Sequence, residues 1–324
     1  MENETYRNIL RSYEDKRRLA EKAQEERTNE VYRVVPEIEA IDKKLAETGI
    51  TISRRLLSGN GDLDDLRRKT ESFRAKKSGL LREANFAEDY LSIKYNCALC
   101  NDTGYRGGAR CSCFTQSLIE ANTSVSGLSP LSKNDSFKNF ELRYYPAEED
   151  AARGISPRAR MKKALNHCQA FTRDFEKEFA NIFMSGDTGL GKTFLCNCIA
   201  NSLLSAGKTV IYYTAPQLFK IIEDLRFGNR GDDFRETYDL VYTADCLIID
   251  DLGTEFATVV TDAELFNIVN IRFINKKPII ISTNLKHQDF VTRYSERVAS
   301  RIIYNYLLLE FFGDDIRMKK KYNL

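Results

Sequence analysis

The chain has 324 residues, 42% of them apolar, enough for one large or two modest domains whose core needs no covalent staples. Its 49 basic and 47 acidic residues leave a formal charge of +2, so no whole-molecule field draws it to nucleic acid, and any such contact must come from a local basic strip. No apolar run approaches the roughly 18 residues of a membrane span, the start Met1-Glu2-Asn3-Glu4-Thr5 is polar, and the eight cysteines read as metal ligands or buried thiols, so the expectation is a soluble, cytoplasmic protein with no membrane partner.

From Tyr6 to about Tyr90 the sequence is dense in Glu, Lys, Arg and Leu without strand-like alternation, which predicts long helices. Pro36 interrupts them and suits the first position of a second helix, which carries Ile38, Ile41 and Leu45 on one face. Gly59-Asn60-Gly61 breaks the chain again before a third helix, Asp62 to about Tyr90. Two readings of these helices stand side by side: a solvated spacer or self-pairing coiled coil, and a partner-docking module.

Cys97-Ala98-Leu99-Cys100 is followed by Cys111-Ser112-Cys113. Two thiolates from a tight turn and two from same-side positions of an extended segment make a tetrahedron, so Cys97, Cys100, Cys111 and Cys113 read as a structural Zn²⁺ site with no open position. Packed, metal-free thiols are the plainer alternative. Cys168, Cys196, Cys198 and Cys246 lack such company and read as small core residues.

Residues 121–136 are rich in Ser, Asn, Gly and Pro, the composition of a linker. The expected organisation is therefore a helical module with a cysteine block (about 95–115) over 1–120, a linker over 121–136 and a second domain over 137–324. In that domain Ser156-Pro157 opens a helix reaching about Phe179. Short β-rich runs at 181–185, 209–214, 246–249, 278–282 and 306–312 alternate with helical stretches, 216–226 and 262–275 among them. This is an α/β pattern: a largely parallel sheet covered by helices.

The first of those runs ends in Gly186-Asp187-Thr188-Gly189-Leu190-Gly191-Lys192-Thr193, and a helical pattern follows from Phe194 to about Ser205. A G-x-x-x-x-G-K-T sequence in a strand-loop-helix context is a phosphate cradle: backbone N–H groups converge on phosphate oxygens, Lys192 reaches the β and γ phosphates, and Thr193 offers a hydroxyl to Mg²⁺. The strand at 247–249 then delivers Asp250 for the Mg²⁺ shell and Asp251 to polarise the attacking water. Asn275-Lys276-Lys277-Pro278 lacks the aspartate that reads guanine and precedes a strand, so adenine is the expected base. The next strand ends in Ser282-Thr283-Asn284, where Asn284 reads either as the residue that orients the lytic water or as a plain turn residue after a strand.

With these residues in view the chain resembles the AAA+ replicative helicase loaders of the DnaC and DnaI type, with the IstB transposition ATPases as relatives. The resemblance covers most of residues 95–324 and rests on the Gly186–Thr193 loop, Ile249-Asp250-Asp251-Leu252-Gly253, Ile281-Ser282-Thr283-Asn284 and Glu296-Arg297-Val298-Ala299-Ser300-Arg301-Ile302. The cysteine block followed by Phe137-Lys138-Asn139-Phe140 looks like the DnaI-type branch. The resemblance implies a P-loop AAA+ core with Lys192 and Thr193 as Walker A, Asp250 and Asp251 as Walker B and Asn284 as sensor 1. It also implies Arg301 as an arginine finger, with Arg297 a neighbouring candidate. Arg317 is a candidate for sensor 2 in a chain that lacks a full helical lid.

What the resemblance implies is a slow ATPase that uses ATP and Mg²⁺, assembles into a homo-oligomer in its ATP state, and delivers a hexameric replicative helicase to single-stranded DNA. Thr214–Arg230, with Phe219, Lys220, Arg226, Phe227 and Arg230, mixes aromatic and basic residues as a strand-binding surface does, and equally as the core face and solvated face of an ordinary helix do. The alternatives are an IstB-like ATPase serving a transposase and a nucleotide-binding scaffold without turnover.

Overall fold

Charge-rich, strand-poor sequence becomes helix at the amino end of the chain. The structure is a computed structural model that describes residues 2–57, 63–124, 132, 134–226, 232–256 and 258–322. Gly59-Asn60-Gly61, half of the expected 121–136 linker, and Phe227 and Arg230 lie outside the described residues. The chain divides into two compact units, residues 10–106 and residues 1–9 with 107–324.

The amino-terminal helices are α1 (Glu2–Val34), α2 (Pro36–Leu57) and α3 (Asp64–Glu83). Pro36 occupies the first position of α2, where its missing N–H costs no intrahelical bond. Val31, Ile38 and Leu81 form a small buried core joined by Tyr32, Val35, Leu80 and Phe86. Beside it Lys77 pairs with Asp42 at 2.6 Å, and the Tyr32 hydroxyl donates to the same carboxylate at 2.9 Å. Helix α3 stops at Glu83, short of the expected Tyr90, because Asn85 takes φ +61° and the Phe86 N–H turns back to the Leu81 carbonyl at 2.9 Å.

Two short strands, β1 (Tyr105–Arg106) and β2 (Ala109–Arg110), lead into α4 (Ser112–Ser124). This helix corrects two expectations: the Cys111-Ser112-Cys113 segment is not extended, and helix persists four residues into the stretch read as linker. Phe114, Leu118 and Ile119 recur at helical spacing and all three are buried, which outweighs the polar composition that follows.

The α/β domain is built from α5 (Pro157–Arg173), β3 (Asn181–Gly186), α6 (Lys192–Ser205), β4 (Val210–Thr214), α7 (Ala215–Arg226), α8 (Asp232–Thr243) and β5 (Cys246–Leu252). It continues through α9 (Val259–Ile274), β6 (Ile279–Thr283), α10 (His287–Arg293), α11 (Glu296–Asn305), β7 (Tyr306–Phe311) and α12 (Ile316–Tyr322). Ser156 caps α5 by accepting from the Ala159 N–H at 3.2 Å.

The five strands run parallel in the order β4-β5-β6-β3-β7. Side chains alternate between two cores, as a period of two requires. Ile211, Tyr213, Leu247, Ile249 and Ile281 face one side, against Leu218, Leu265, Ile268 and Val298 of α7, α9 and α11. Ile182, Met184, Tyr212, Ile248 and Ile280 face the other, against Met161 and Leu195 of α5 and α6. Between the cores' edges lies a fully buried cation, Arg272 of α9, whose guanidinium donates to the carbonyls of Val241 (2.7 Å), Ala244 (3.0 Å) and Pro278 (2.9 Å). Desolvation pushes its pKa down to about 10.

Candidate nucleotide site

Strand order decides which motifs meet. Because β6 lies between β3 and β5, its carboxyl end stands between the phosphate loop and the Asp250-Asp251 pair. At Gly186 the chain leaves β3 with φ +144°, and a Cβ there would sit 2.1 Å from the Phe311 carbonyl oxygen on β7. Gly189, at φ +77°, meets the carboxylate of Asp315, which a Cβ would approach to 2.1 Å. Only glycine fits at either place.

Lys192 opens α6 and is 3% exposed. Its ammonium donates to the carbonyls of Gly186 and Asp187 and to Asn284 Oδ1, each at 2.7 Å. Desolvation lowers its pKa, opposed by Asp251, Asp250 and Asp187. Asn284 Nδ2 in turn donates to Asp251 Oδ1 at 3.2 Å. Buried Asp250 accepts from Tyr212 (2.9 Å), from Thr193 (3.3 Å) and from the Ser282 hydroxyl. The Ser282 oxygen also accepts from the Asp251 N–H at 2.9 Å, fixing the turn in which Asp251 takes φ +55°. Desolvation and the neighbouring Asp250 charge raise the Asp251 pKa, against the pull of Lys192, Asn284 and Arg317. The structure thus brings Lys192, Thr193, Asp250, Asp251 and Asn284 together. Thr193 and Asp250 present two oxygens suited to a hard cation such as Mg²⁺.

Beside the loop is a cavity of about 360 Å³ lined by Lys192, Thr193, Asp251 and Asn284 at one end and by Phe140, Tyr145, Phe194 and Asn197 at the other. Phe140 lies 5.8 Å from the Tyr145 ring and 5.9 Å from Phe194, so its far end is an aromatic wall for a nucleobase. Tyr145 also donates from its hydroxyl to the Leu190 carbonyl at 2.9 Å, tying the wall to the phosphate loop. The sequence names Phe140 and Phe194 without giving either a role at the nucleotide, and does not single out Tyr145 or Asn197. Ile316 and Arg317 line the same cavity, and the Ile316 N–H donates to Gly189 O at 3.0 Å, so the carboxyl-terminal segment is fastened to the loop itself.

Arg297 and Arg301 do not line this cavity. Both lie on α11, where Arg301 Nε donates to Asn270 Oδ1 of α9 at 3.2 Å and its guanidinium lies 4.4 Å from the Phe266 ring centroid. Neither arginine makes an ion pair among the described residues. The expected strand-binding stretch also needs correction: Phe219 is buried in the core, where no base can stack on it, while Lys220 is exposed. The amphipathic spacing of α7 turns that aromatic inward. The Arg226 side chain, Phe227 and Arg230 lie outside what is described.

Within residues 97–113 the ligand atoms of Cys97, Cys100, Cys111 and Cys113 lie within 4.8 Å of one another. Cys97 and Cys100 sit on a turn closed by the Asn101 N–H to Cys97 O bond at 2.9 Å. Buried Asp102, which the sequence reading missed, accepts from the N–H groups of Asn96 and Cys97 at 2.8 Å each. The Gly104 N–H donates to Cys100 Sγ at 3.3 Å. Cys113 comes from the first turn of α4 in place of an extended segment. Four thiols without histidine or carboxylate form a donor set that fits Zn²⁺. Cys168, Cys196, Cys198 and Cys246 are buried, and burial pushes the thiols of Cys168, Cys198 and Cys246 up to about 12.

Fold and site together define a P-loop protein of the AAA+ class. Residues 158–306 match the family described as the bacterial DnaA ATPase domain. The replicative helicase loader DnaC of Escherichia coli (strain K12) is 27% identical over 195 residues, 60% of this chain and 74% of DnaC. The chromosomal replication initiator protein DnaA of Spiroplasma citri is 33% identical over 183 residues, 54% of this chain but only 39% of that protein. Among solved structures, the crystal structure of the DnaC helicase loader matches with a TM-score of 0.44 at 22% identity, covering 54% of this chain and 98% of that one. In sequence the chain is similar to the DnaC-type AAA+ helicase loaders.

Proposed function

We propose that this protein is an ATP-dependent replicative helicase loader, which binds a hexameric helicase and single-stranded DNA under ATP control. The observation that carries the reading is the Lys192–Asn284–Asp251 bridge at the mouth of a phosphate loop, in a chain similar to DnaC. In this reading the cavity takes ATP. Lys192 gives up its carbonyl partners for the β and γ phosphates. Thr193 and Asp250 hold Mg²⁺, and Asp251 and Asn284 align the attacking water. Arg301 completes the site of a neighbouring copy in an ATP-dependent homo-oligomer. Residues 1–120 form the docking module, with Zn²⁺ on the four clustered cysteines as a structural support.

The test is affinity capture with the full chain, with and without ATP, alongside Lys192→Ala. Recovery of a hexameric helicase, together with ATP turnover that Lys192→Ala abolishes, is the expected result. Capture of a transposase, or no capture and no turnover, overturns it. A chain beginning near Ser136 is expected to keep the ATPase and lose the helicase. Equal capture by that shorter chain would remove the docking role from the helices.

A further inference from the structure

The face of α9 that meets α11 carries Asp262, Phe266 and Asn270, spaced i, i+4 and i+8 so that they stack along one line of the helix. Together they hold two points of the α10–α11 segment, its Ser295 N–H and Arg301. Asp262 Oδ1 accepts from the N–H of Ser295, the residue that precedes α11, at 3.0 Å. Phe266 lies under the Arg301 guanidinium. Asn270 Oδ1 takes the Arg301 Nε–H. A fourth tie precedes α9: Glu255 accepts from the Gly253 N–H at 2.7 Å, from the Tyr294 hydroxyl at 2.5 Å, and pairs with Arg293 at 3.5 Å. The loop that leaves Asp250 and Asp251 is therefore fastened to the start of α11, and α9 carries that register to Arg301.

An arginine on a helix surface samples many rotamers, and fixing it costs side-chain entropy. Here the neighbours remove that freedom beforehand. Asn270 binds Nε, the ring of Phe266 fixes the plane, and the Arg297 carbonyl accepts from Nη1 at 3.4 Å. Nη2 has no partner among the described residues, and Arg301 lines a second cavity of about 360 Å³ together with Asn270, Phe273, Asn305 and Tyr306. A neutral amide is the right chemistry for such a hold, because a carboxylate at position 270 would neutralise the charge that a phosphate must feel.

We propose that Asn270, with Phe266, is a positioning residue that presents Arg301 to the terminal phosphate of ATP bound in a second copy of this chain. The inference rests on the finger reading of Arg301 given above, and the experiment separates the two. ATP hydrolysis is measured for Arg301→Ala, Asn270→Leu and the double variant, with KM and kcat resolved. Expected are a loss of kcat on the order of tenfold or more for Asn270→Leu with KM unchanged, a larger loss for Arg301→Ala, and a double variant no slower than Arg301→Ala alone. If Arg301→Ala hydrolyses ATP at the parent rate, the finger reading falls and this inference with it. If Arg301→Ala is slow and Asn270→Leu is not, the positioning role alone is overturned. A double variant that multiplies the two losses, or an Asn270→Leu protein whose KM moves in place of kcat, makes Asn270 a structural residue and overturns it as well.

Discussion

Asn284 accepts from the Lys192 ammonium through its carbonyl oxygen and donates to Asp251 through its amide nitrogen, at 2.7 and 3.2 Å. One neutral side chain thus reads both charges, and it does so in a fixed orientation, since reversing the amide would set two donors against each other and two acceptors against each other.

That orientation separates two variants. Lys192→Ala removes the main countercharge of the triphosphate, so nucleotide binding and hydrolysis both collapse. Asn284→Leu leaves Lys192 in place, so ATP is still bound while turnover falls by about a hundredfold. Equilibrium binding of a fluorescent ATP analogue beside steady-state turnover checks the pair. Asn284→Leu turning over at the parent rate would remove its role.

Asp251 gives a pH signature. Its folded-state pKa is raised by burial and by Asp250, above the ordinary aspartate value of about 3.9. Between the ordinary and the raised value the folded chain binds more protons than the unfolded one, so stability falls as pH rises through that window, and the penalty is complete above it. Asp251→Asn removes the penalty. The nucleotide-free variant should melt at a higher temperature than the parent at neutral pH, and the gap should close as pH falls below about 4. Thermal midpoints across a pH series decide it; identical midpoints at neutral pH would contradict the raised value.

The cysteine cluster should carry one zinc per chain, because four cysteine sulfurs within 4.8 Å of one another are a donor set that Zn²⁺ binds by displacing their protons. Metal analysis of protein purified without added zinc is the first check. Chelation should then loosen residues near 97–113 in hydrogen exchange and leave the phosphate-loop sheet protected. Metal-free protein with the same protection in that segment would make the cysteines packing residues.

Arg272 should matter to stability out of proportion to its distance from the chemistry. Arg272→Met keeps the aliphatic stem but leaves the carbonyls of Val241, Ala244 and Pro278 without their donors, a loss of about 3 kcal/mol or more. Urea unfolding measures it. A loss under about 1 kcal/mol would mean that these carbonyls find other donors.

The phosphate loop and the Asp250-Asp251 end of β5 were legible because each is a contiguous motif in a strand context, and glycine spacing at 186, 189 and 191 has few other causes. The strand pattern gave the α/β class for the same reason: buried parallel strands are written as short, continuous apolar runs. What the sequence did not disclose was assembled from distant pieces. Tyr145, Phe194 and Asn197 converge on one cavity from opposite sides of the loop. Asp102 holds the cysteine turn through backbone N–H groups. The Asn270–Arg301 contact joins two helices whose spacing shows only which face is inward. Phe219 failed as a stacking candidate because an aromatic in an amphipathic helix belongs first to the core, and α4 went unread because its three buried positions sit among serines and threonines.

The place of β3 between β6 and β7 also governs how the protein can be made. Ile182 of this strand pairs with Ile280 on one side and Leu307 on the other, both near the end of the chain. During synthesis an apolar strand flanked by the phosphate loop leaves the ribosome long before either neighbour exists, and it stays without sheet partners until β6 and then β7 emerge. The candidate nucleotide site is likewise late to assemble, since Asn284 lies 92 residues beyond Lys192. A ribosome stalled before β7 would expose a naked strand edge, and chaperone dependence should be concentrated in that late interval of translation.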